Sequence, residues 1–114
     1  MTPESLVQQQ VEAYNARDLE RFVACYSDRI EVFRPPASAP AISGKAQFAE
    51  FYASQRFCLP GLRADIVNRM VLGNKVVDHE RIFGVREQPL EVVVAYEIAN
   101  GLIERVWTFA VDPV

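Results

Sequence analysis

The most constraining feature of this chain is its second half, Leu62 to Val111, where strand-like segments are separated by short turns. The segments are rich in β-branched and aromatic side chains, as expected of strands. Their bounds are 62–72, 75–85, 91–99 and 102–111. Asn100-Gly101 favours a two-residue hairpin because both residues tolerate positive φ. The pattern predicts a four-stranded antiparallel meander.

The first half of the chain predicts three helices and one short strand. Thr2 is a suitable cap for the first helix, because proline and glutamate follow it and apolar residues then recur at helical spacing as far as Tyr14. Asp18 and Ser43 are suitable caps for the second and third helices. The extended run Ile30 to Arg34 ends at two prolines. This α+β order predicts three N-terminal helices packed on the concave face of a curled antiparallel sheet, with a tapering cavity between them.

Composition and charge are those of a globular protein. The chain has 114 residues, which suits a single domain over 1–114, and 50% of them are hydrophobic while 24% are charged. The formal net charge is −3, and acidic and basic residues are interleaved along the chain. No surface for nucleic acid or for an anionic membrane is therefore predicted.

The sequence shows no export or membrane signal. Its first ten residues lack a basic region followed by an apolar run, and no purely apolar run is longer than the five residues of Val92 to Tyr96, which is too short to span a bilayer. Cys25 and Cys58 lack metal-ligand spacing, so we expect two free thiols in a reducing compartment. These features predict a cytoplasmic protein.

Segments in both halves of the chain resemble a known family. The segment YNARDLERFVACYSDRIEVFRPP resembles the opening of the SnoaL-like, ketosteroid isomerase-like branch of the nuclear transport factor 2-like (NTF2-like) superfamily. The segments VVDHERIFG and VVVAYEIANGLIERVWTF resemble its closing strands. The resemblance implies a cone-shaped, cystatin-like fold around an apolar pocket. It leaves the activity open, because this fold hosts isomerases, epoxide hydrolases, polyketide cyclases, dehydratases and domains without catalysis.

The catalytic residues of the isomerases in this superfamily are not retained. The resemblance places Gln10 where they have a tyrosine donor, Arg34 where they have the general-base aspartate, and Val94 near their protonated acid. An arginine cannot accept a proton from carbon at neutral pH, because its pKa is above about 12. Ketosteroid isomerase chemistry is therefore not predicted.

The epoxide hydrolases of the superfamily use an aspartate–arginine–aspartate set, which is also incomplete here. Arg81, within an ERI motif, matches their arginine. Phe83 and Thr108 stand where the resemblance places the two aspartates. Nothing at these positions activates water, so epoxide hydrolysis is not predicted.

Alternation along the strand 75–85 separates two sets of side chains. His79 and Arg81 lie on one face, and Asp78 and Glu80 lie on the other. The positions matched to isomerase and hydrolase residues place the His79 face on the concave side. The other residues predicted to line the pocket are Val77, Phe83, Val92, Val94, Tyr96, Val106 and Thr108 from the strands, and Tyr14, Phe22, Phe48 and Tyr52 from the helices.

The candidate catalytic residue is His79, because it is the only histidine and imidazole titrates near neutral pH. The alternative is a histidine hydrogen-bonded to a neighbour in the core. Arg81 and Arg34 are candidates to bind a carboxylate, a phosphate or a carbonyl, or else to form ion pairs with helix acids. Tyr14 and Tyr96 are candidates to donate to a ligand oxygen, or else to fill the core.

No metal ion or cofactor is expected. One histidine and two distant cysteines lack ligand spacing, and the chain has no glycine-rich phosphate loop. The expected ligand is a small molecule, and Thr108 is the remaining candidate to contact it.

The outward face of the predicted sheet is rich in apolar residues, Trp107 among them. Such a face is usually covered. The resemblance implies a homodimer through this face, and the alternative is that the C-terminal tail or the loops cover it.

Three classes of function remain open. The first is a cofactor-independent isomerase, cyclase or dehydratase acting on a small apolar molecule with a carbonyl or anionic group. The second is a non-catalytic domain that binds such a molecule. The third is a dimeric interaction module with an incidental pocket. An enclosed pocket that holds a polar triad would support the first two, and a collapsed cavity plugged by Phe22, Phe48 and Phe83 would support the third.

Overall fold

Three helices and six strands form the described part of the chain. The computed structural model describes residues 1–111. The last three residues of the predicted domain, 112–114, belong to the predicted C-terminal tail and lie outside the described residues. In chain order the elements are α1 (Pro3–Asn15), α2 (Leu19–Ala24), β1 (Tyr26–Phe33), β2 (Ile42–Ser43), α3 (Lys45–Gln55), β3 (Arg63–Leu72), β4 (Lys75–Phe83), β5 (Leu90–Ala99) and β6 (Leu102–Ala110). No helix in this part is long and apolar enough to cross a membrane.

The strands form one curled sheet in the order β2-β1-β6-β5-β4-β3. Strands β3 to β6 make the predicted antiparallel meander. Strand β1 pairs with β6 in parallel, so the sheet is mixed rather than wholly antiparallel. Alternation within a segment carries no information about the direction of a partner that is distant in sequence, which is why this pairing was not predicted.

Local signals set most of the element ends. The side chains of Thr2 and Asp18 each accept a hydrogen bond from the backbone N–H three residues later, so the predicted caps of α1 and α2 are confirmed. The prediction that Ser43 caps α3 is wrong. Ser43 lies in β2, where it pairs with β1, and Gly44 takes the cap position.

The Asn100-Gly101 hairpin is confirmed. The two residues have φ angles of 54° and 77°, and Ala99 pairs with Leu102 across the turn. Positive φ at both turn residues matches the right-handed twist of the flanking strands. The turn therefore sets the register of β5 against β6, and with it the residues that face the helices.

Aromatic side chains fill much of the space between the helices and the concave face of the sheet. The six rings are those of Tyr14, Phe22, Tyr26, Phe48, Tyr52 and Phe57. The rings of Phe22 and Phe48 are stacked with centroids 5.6 Å apart, and those of Tyr26 and Phe48 are 4.3 Å apart. Each such contact stabilises the fold by about 0.5–1.5 kcal/mol beyond the burial of area. The rings leave a cavity beside them, in which the polar groups of the site lie.

Candidate functional site

Strand β4 presents to the helices the face opposite to the one predicted. Asp78 is completely buried and Glu80 is 6% exposed. In the sheet Asp78 pairs with Val94 and Glu80 pairs with Val92, so the two acids share the concave face with these valines. The prediction that His79 lies on the concave side is wrong. The assignment came from matched positions in other enzymes, and these do not determine the register of this strand.

His79 and Arg81 lie on the outer face of the sheet, where both bind Glu91. His79 Nε2 is 2.5 Å from Glu91 Oε2, and Arg81 Nε donates to Glu91 Oε1 at 2.6 Å. The hydrogen bonds from His79 and Arg81 hold the pKa of the Glu91 carboxyl below its usual value. The predicted catalytic role of His79 in the pocket and the predicted ligand contact of Arg81 have no support in this geometry, because both side chains point away from the cavity.

A cavity of about 270 Å³ lies between the sheet and the helices. Arg34, Tyr14, Tyr96 and Thr108, which were predicted to contact a ligand, line it. The remaining lining residues are Gln10, Val11, Phe22, Tyr26, Val32, Phe48, Phe51, Tyr52, Arg56, Ala64, Glu80, Ile82, Leu90, Val92, Val94 and Val106. Eleven of the twenty lining residues are apolar, and the polar groups of the other nine determine what chemistry the cavity can support.

A chain of hydrogen bonds in the cavity wall ends at Glu80. The Tyr26 hydroxyl donates to Gln10 Oε1 at 2.9 Å, and Gln10 Nε2 donates to the Tyr96 hydroxyl at 3.2 Å. The Tyr96 hydroxyl donates in turn to Glu80 Oε2 at 2.9 Å. Every proton of the chain points toward Glu80, so the carboxyl group is its final acceptor.

The second oxygen of Glu80 is open to the cavity. No hydrogen bond to Oε1 is formed within residues 1–111, whereas every fully enclosed side-chain nitrogen or oxygen atom among these residues has a partner. Oε1 is therefore not fully enclosed, and Glu80 lines the cavity. A molecule in the cavity can reach this oxygen.

Burial raises the pKa of the Glu80 carboxyl from 4.5 to about 7. The hydrogen bond from Tyr96 lowers this pKa, the nearby Asp78 carboxylate raises it, and the Arg69 guanidinium lowers it, each by less than burial does. Both the ionised and the protonated forms of Glu80 are therefore present near neutral pH. A carboxyl group in that condition is suited to take and return protons.

Asp78, the other acid on this face, is neutralised by Arg69. Arg69 Nε donates to Oδ1 at 2.7 Å and Arg69 Nη2 donates to Oδ2 at 2.9 Å, while Arg69 Nη1 donates to Gln8 Oε1 at 3.0 Å. This two-pronged pair uses both oxygens of Asp78. In the described part of the chain, Glu80 is thus the acid on the concave face of β4 that has no ion-pair partner.

Two tyrosines supply further donors at the cavity surface. Burial raises the pKa of Tyr14, and it raises that of Tyr52 to about 12, so both hydroxyls stay protonated at neutral pH. The Arg56 guanidinium lies near both hydroxyls and partly offsets the effect of burial. Each hydroxyl can donate a hydrogen bond to an oxygen atom in the cavity.

Gln10, Tyr26, Glu80 and Arg56 were not among the predicted site residues. Gln10 was identified only as the position of the isomerases' tyrosine, and the structure places a buried polar group there after all. No group of three or more His, Cys, Asp or Glu residues arranged to hold a metal ion occurs among residues 1–111.

Helices packed on a curled sheet around an apolar cavity define a pocket protein of the NTF2-like class. The chain belongs to the SnoaL-like domain family, whose model matches residues 7–106. A search of curated proteins found no match.

Solved structures share the fold over nearly the whole chain. A cystatin-fold protein from Novosphingobium aromaticivorans has a TM-score of 0.86 at 20% identity, with 95% of this chain and 97% of that chain covered. A protein from Kribbella flavida, provisionally named a ketosteroid isomerase, has a TM-score of 0.84 at 21% identity, with coverages of 98% and 79%. A protein from Sinorhizobium meliloti, provisionally named a polyketide cyclase, has a TM-score of 0.77 at 15% identity, with coverages of 91% and 93%. At these identities the likeness establishes the fold alone.

Proposed function

We propose that this protein is a cofactor-independent enzyme that moves a proton on a small, largely apolar carbonyl compound, with Glu80 as the acid and base. The observation that carries the proposal is a buried carboxyl group with a pKa of about 7 and one oxygen open to an apolar cavity. A structural carboxyl group in the core normally has both oxygens bonded or carries an ion-pair partner, as Asp78 does.

The proposed reaction begins with ionised Glu80 beside a C–H bond next to the substrate carbonyl. Oε1 takes the proton, the C–H bond breaks, and its electron pair forms a carbon–carbon double bond as charge moves to the carbonyl oxygen. That oxygen accepts a hydrogen bond from Tyr14 or Tyr52, whose protonated hydroxyls stabilise the developing charge. Protonated Glu80 then returns the proton, to the same carbon or to a conjugated one, and the second outcome is an isomerisation.

Two of the similar structures are consistent with this class of reaction. The Kribbella flavida protein is provisionally named an isomerase and the Sinorhizobium meliloti protein a cyclase. Ketosteroid isomerisation, and cyclisation by carbon–carbon bond formation next to a carbonyl, both begin with removal of a proton at such a carbon. For this chain the base would be Glu80, on β4, rather than an aspartate before the proline at the end of β1, where Arg34 stands.

Exchange of the α-protons of cyclohexanone in D₂O, followed by ¹H NMR, tests the proposal. We expect the wild-type protein to accelerate exchange, with a rate that rises with pH through about 7 as Glu80 ionises. Glu80→Gln should lower the protein-catalysed rate by about 10²–10⁴-fold.

The matched control for Glu80→Gln is Glu91→Gln, which changes the acid on the outer face and should leave the exchange rate unchanged. No acceleration by the wild-type protein, or an equal rate in Glu80→Gln, contradicts the proposal. Saturable binding of cyclohexanone without exchange would instead favour the non-catalytic binding domain. A cavity of about 270 Å³ remains beside Phe22 and Phe48, and Phe83 does not line it, so the interaction module with a collapsed pocket has no comparable support.

We also propose that the protein is a homodimer through the outer face of the sheet. Trp107 stacks on Phe33 with ring centroids 5.6 Å apart, and neighbouring Phe109 is 42% exposed. An aromatic patch of this kind on a sheet is suited to pack against a second copy. Trp107→Asp should convert the dimer to a monomer, measured as molar mass by light scattering. An unaltered mass in this variant would count against the interface.

A further inference from the structure

We propose that the mouth of the cavity binds a carboxylate of the substrate, with Arg34 and Arg56 as its two charged contacts. This inference rests on the proposed function, because it names the substrate class of the same site. The substrate is then a small carbonyl compound that also carries a carboxylate, with the carbonyl toward Glu80 and the carboxylate toward solvent.

Arg34 and Arg56 are held by the same aromatic ring. The guanidinium carbon of each lies 5.2 Å from the centroid of the Phe51 ring, so the two carbons are at most twice that distance apart. Stacking on an aromatic face orients a guanidinium group and leaves N–H donors at its edge for an anion. Arg56 Nη1 donates to the Gln55 carbonyl oxygen at 3.0 Å, so the other N–H groups of Arg56 are the ones available to an anion. Both arginines line the cavity; Arg34 is exposed and Arg56 is half-buried, which places the pair at the mouth.

The two charges are not compensated by an acid in the described part of the chain. Neither Arg34 nor Arg56 forms an ion pair there, whereas Arg69, Arg81 and Arg105 each bind a carboxylate. Among the lining residues the acid is Glu80, which is buried in the wall rather than placed at the mouth. The entrance of the cavity therefore carries two positive charges without an acid beside them.

Tyr52 connects the mouth with Glu80. The guanidinium groups of Arg56 and Arg34 lower the pKa of the Tyr52 hydroxyl, and the Glu80 carboxylate raises it, so the hydroxyl lies within electrostatic reach of all three groups. Tyr52 lines the same cavity as both arginines and Glu80, so its hydroxyl is available to a molecule that extends from the arginines to Glu80. Its carbonyl oxygen can accept a hydrogen bond there while its carboxylate stays with the arginines.

The charge of the site favours a carboxylate over a phosphate. The proposed reaction begins with ionised Glu80. In that state two guanidinium groups and one carboxylate leave one net positive charge, which a single substrate carboxylate neutralises and a phosphate dianion exceeds. The cavity, at about 270 Å³, also suits a small molecule, because sites for drug-sized ligands measure about 300–1,000 Å³. Apolar walls weaken screening and strengthen the attraction between the arginines and an anion.

Calorimetric titration with two probes that differ only in charge tests the inference. The probes are 4-oxocyclohexanecarboxylate and its neutral carboxamide, at pH 7.5 and low salt. We expect the carboxylate to bind at least about tenfold more tightly than the amide. The single variants Arg34→Gln and Arg56→Gln should each reduce this preference, and the double variant should abolish it.

Arg63→Gln is the matched control, because Arg63 also stacks on an aromatic ring but does not line the cavity. The guanidinium carbon of Arg63 lies 4.6 Å from the centroid of the Phe83 ring. This variant should keep the preference of the wild type. Any of three results overturns the inference. They are equal affinity of the wild type for the two probes, no saturable binding of the carboxylate at millimolar concentration, and an unaltered preference in the double variant. The titration measures binding alone. If the wild-type protein shows no preference for the carboxylate but still accelerates α-proton exchange, only this inference is refuted. A retained preference without exchange refutes only the enzymatic proposal.

Discussion

Glu80→Gln is expected to raise the free energy of unfolding by roughly 3 kcal/mol at pH 8 and to leave it nearly unchanged at pH 4. The pKa of Glu80 is about 7 in the folded protein and 4.5 in a solvated chain, so the folded state binds more protons between these values. The stability of the wild type therefore falls as pH rises from 4.5 to 7. Glutamine mimics the protonated form at every pH and removes this dependence. Urea unfolding at several pH values measures the difference.

Glu91→Gln is the control for this prediction, since it should change stability in the opposite direction. His79 and Arg81 hold the pKa of Glu91 below its usual value, so its ionised form stabilises the fold above the unfolded pKa. Removing the charge should therefore lower stability near neutral pH and have little effect in acid. If both variants lower stability at pH 8, Glu80 does not have a raised pKa in the folded protein.

The fold was predictable because its signals are local. Thr2 and Asp18 cap helices through contacts with residues three positions away, and Asn100-Gly101 forms a hairpin through its own backbone angles. The parallel pairing of β1 with β6 brings together residues about 75 positions apart, such as Val32 and Val106. No single segment carries that information.

The inward face of β4 was not predictable from alternation alone, because both of its faces mix apolar with charged residues. A further signal was present in the sequence. A two-residue turn at Gly73-Asn74 pairs Leu72 with Lys75, and counting back along the hairpin places Arg69 opposite Asp78. This pairing neutralises Asp78 and allows its face to be buried. The raised pKa of Glu80 still required the structure, because it depends on burial by elements distant in sequence.

Arg69→Met is expected to lower the free energy of unfolding by about 3–5 kcal/mol, because it leaves a fully buried carboxylate without its partner. Urea unfolding at pH 7 measures the loss. The double variant Arg69→Met/Asp78→Val should recover most of it, since an apolar pair in place of a buried ion pair is often neutral.

Arg63→Met is the surface control for Arg69→Met. Arg63 and Asp65 form an ion pair whose side chains are 58% and 49% exposed, so its loss should cost less than about 1 kcal/mol. Equal losses in Arg63→Met and Arg69→Met would show that Asp78 is not enclosed by the fold.

The double variant Arg69→Met/Asp78→Val also tests what sets the pKa of Glu80, because the Asp78 carboxylate raises that pKa and the Arg69 guanidinium lowers it. These opposing effects disappear together in the double variant, so the midpoint of the pH–rate profile should stay near 7 if burial sets the pKa of Glu80.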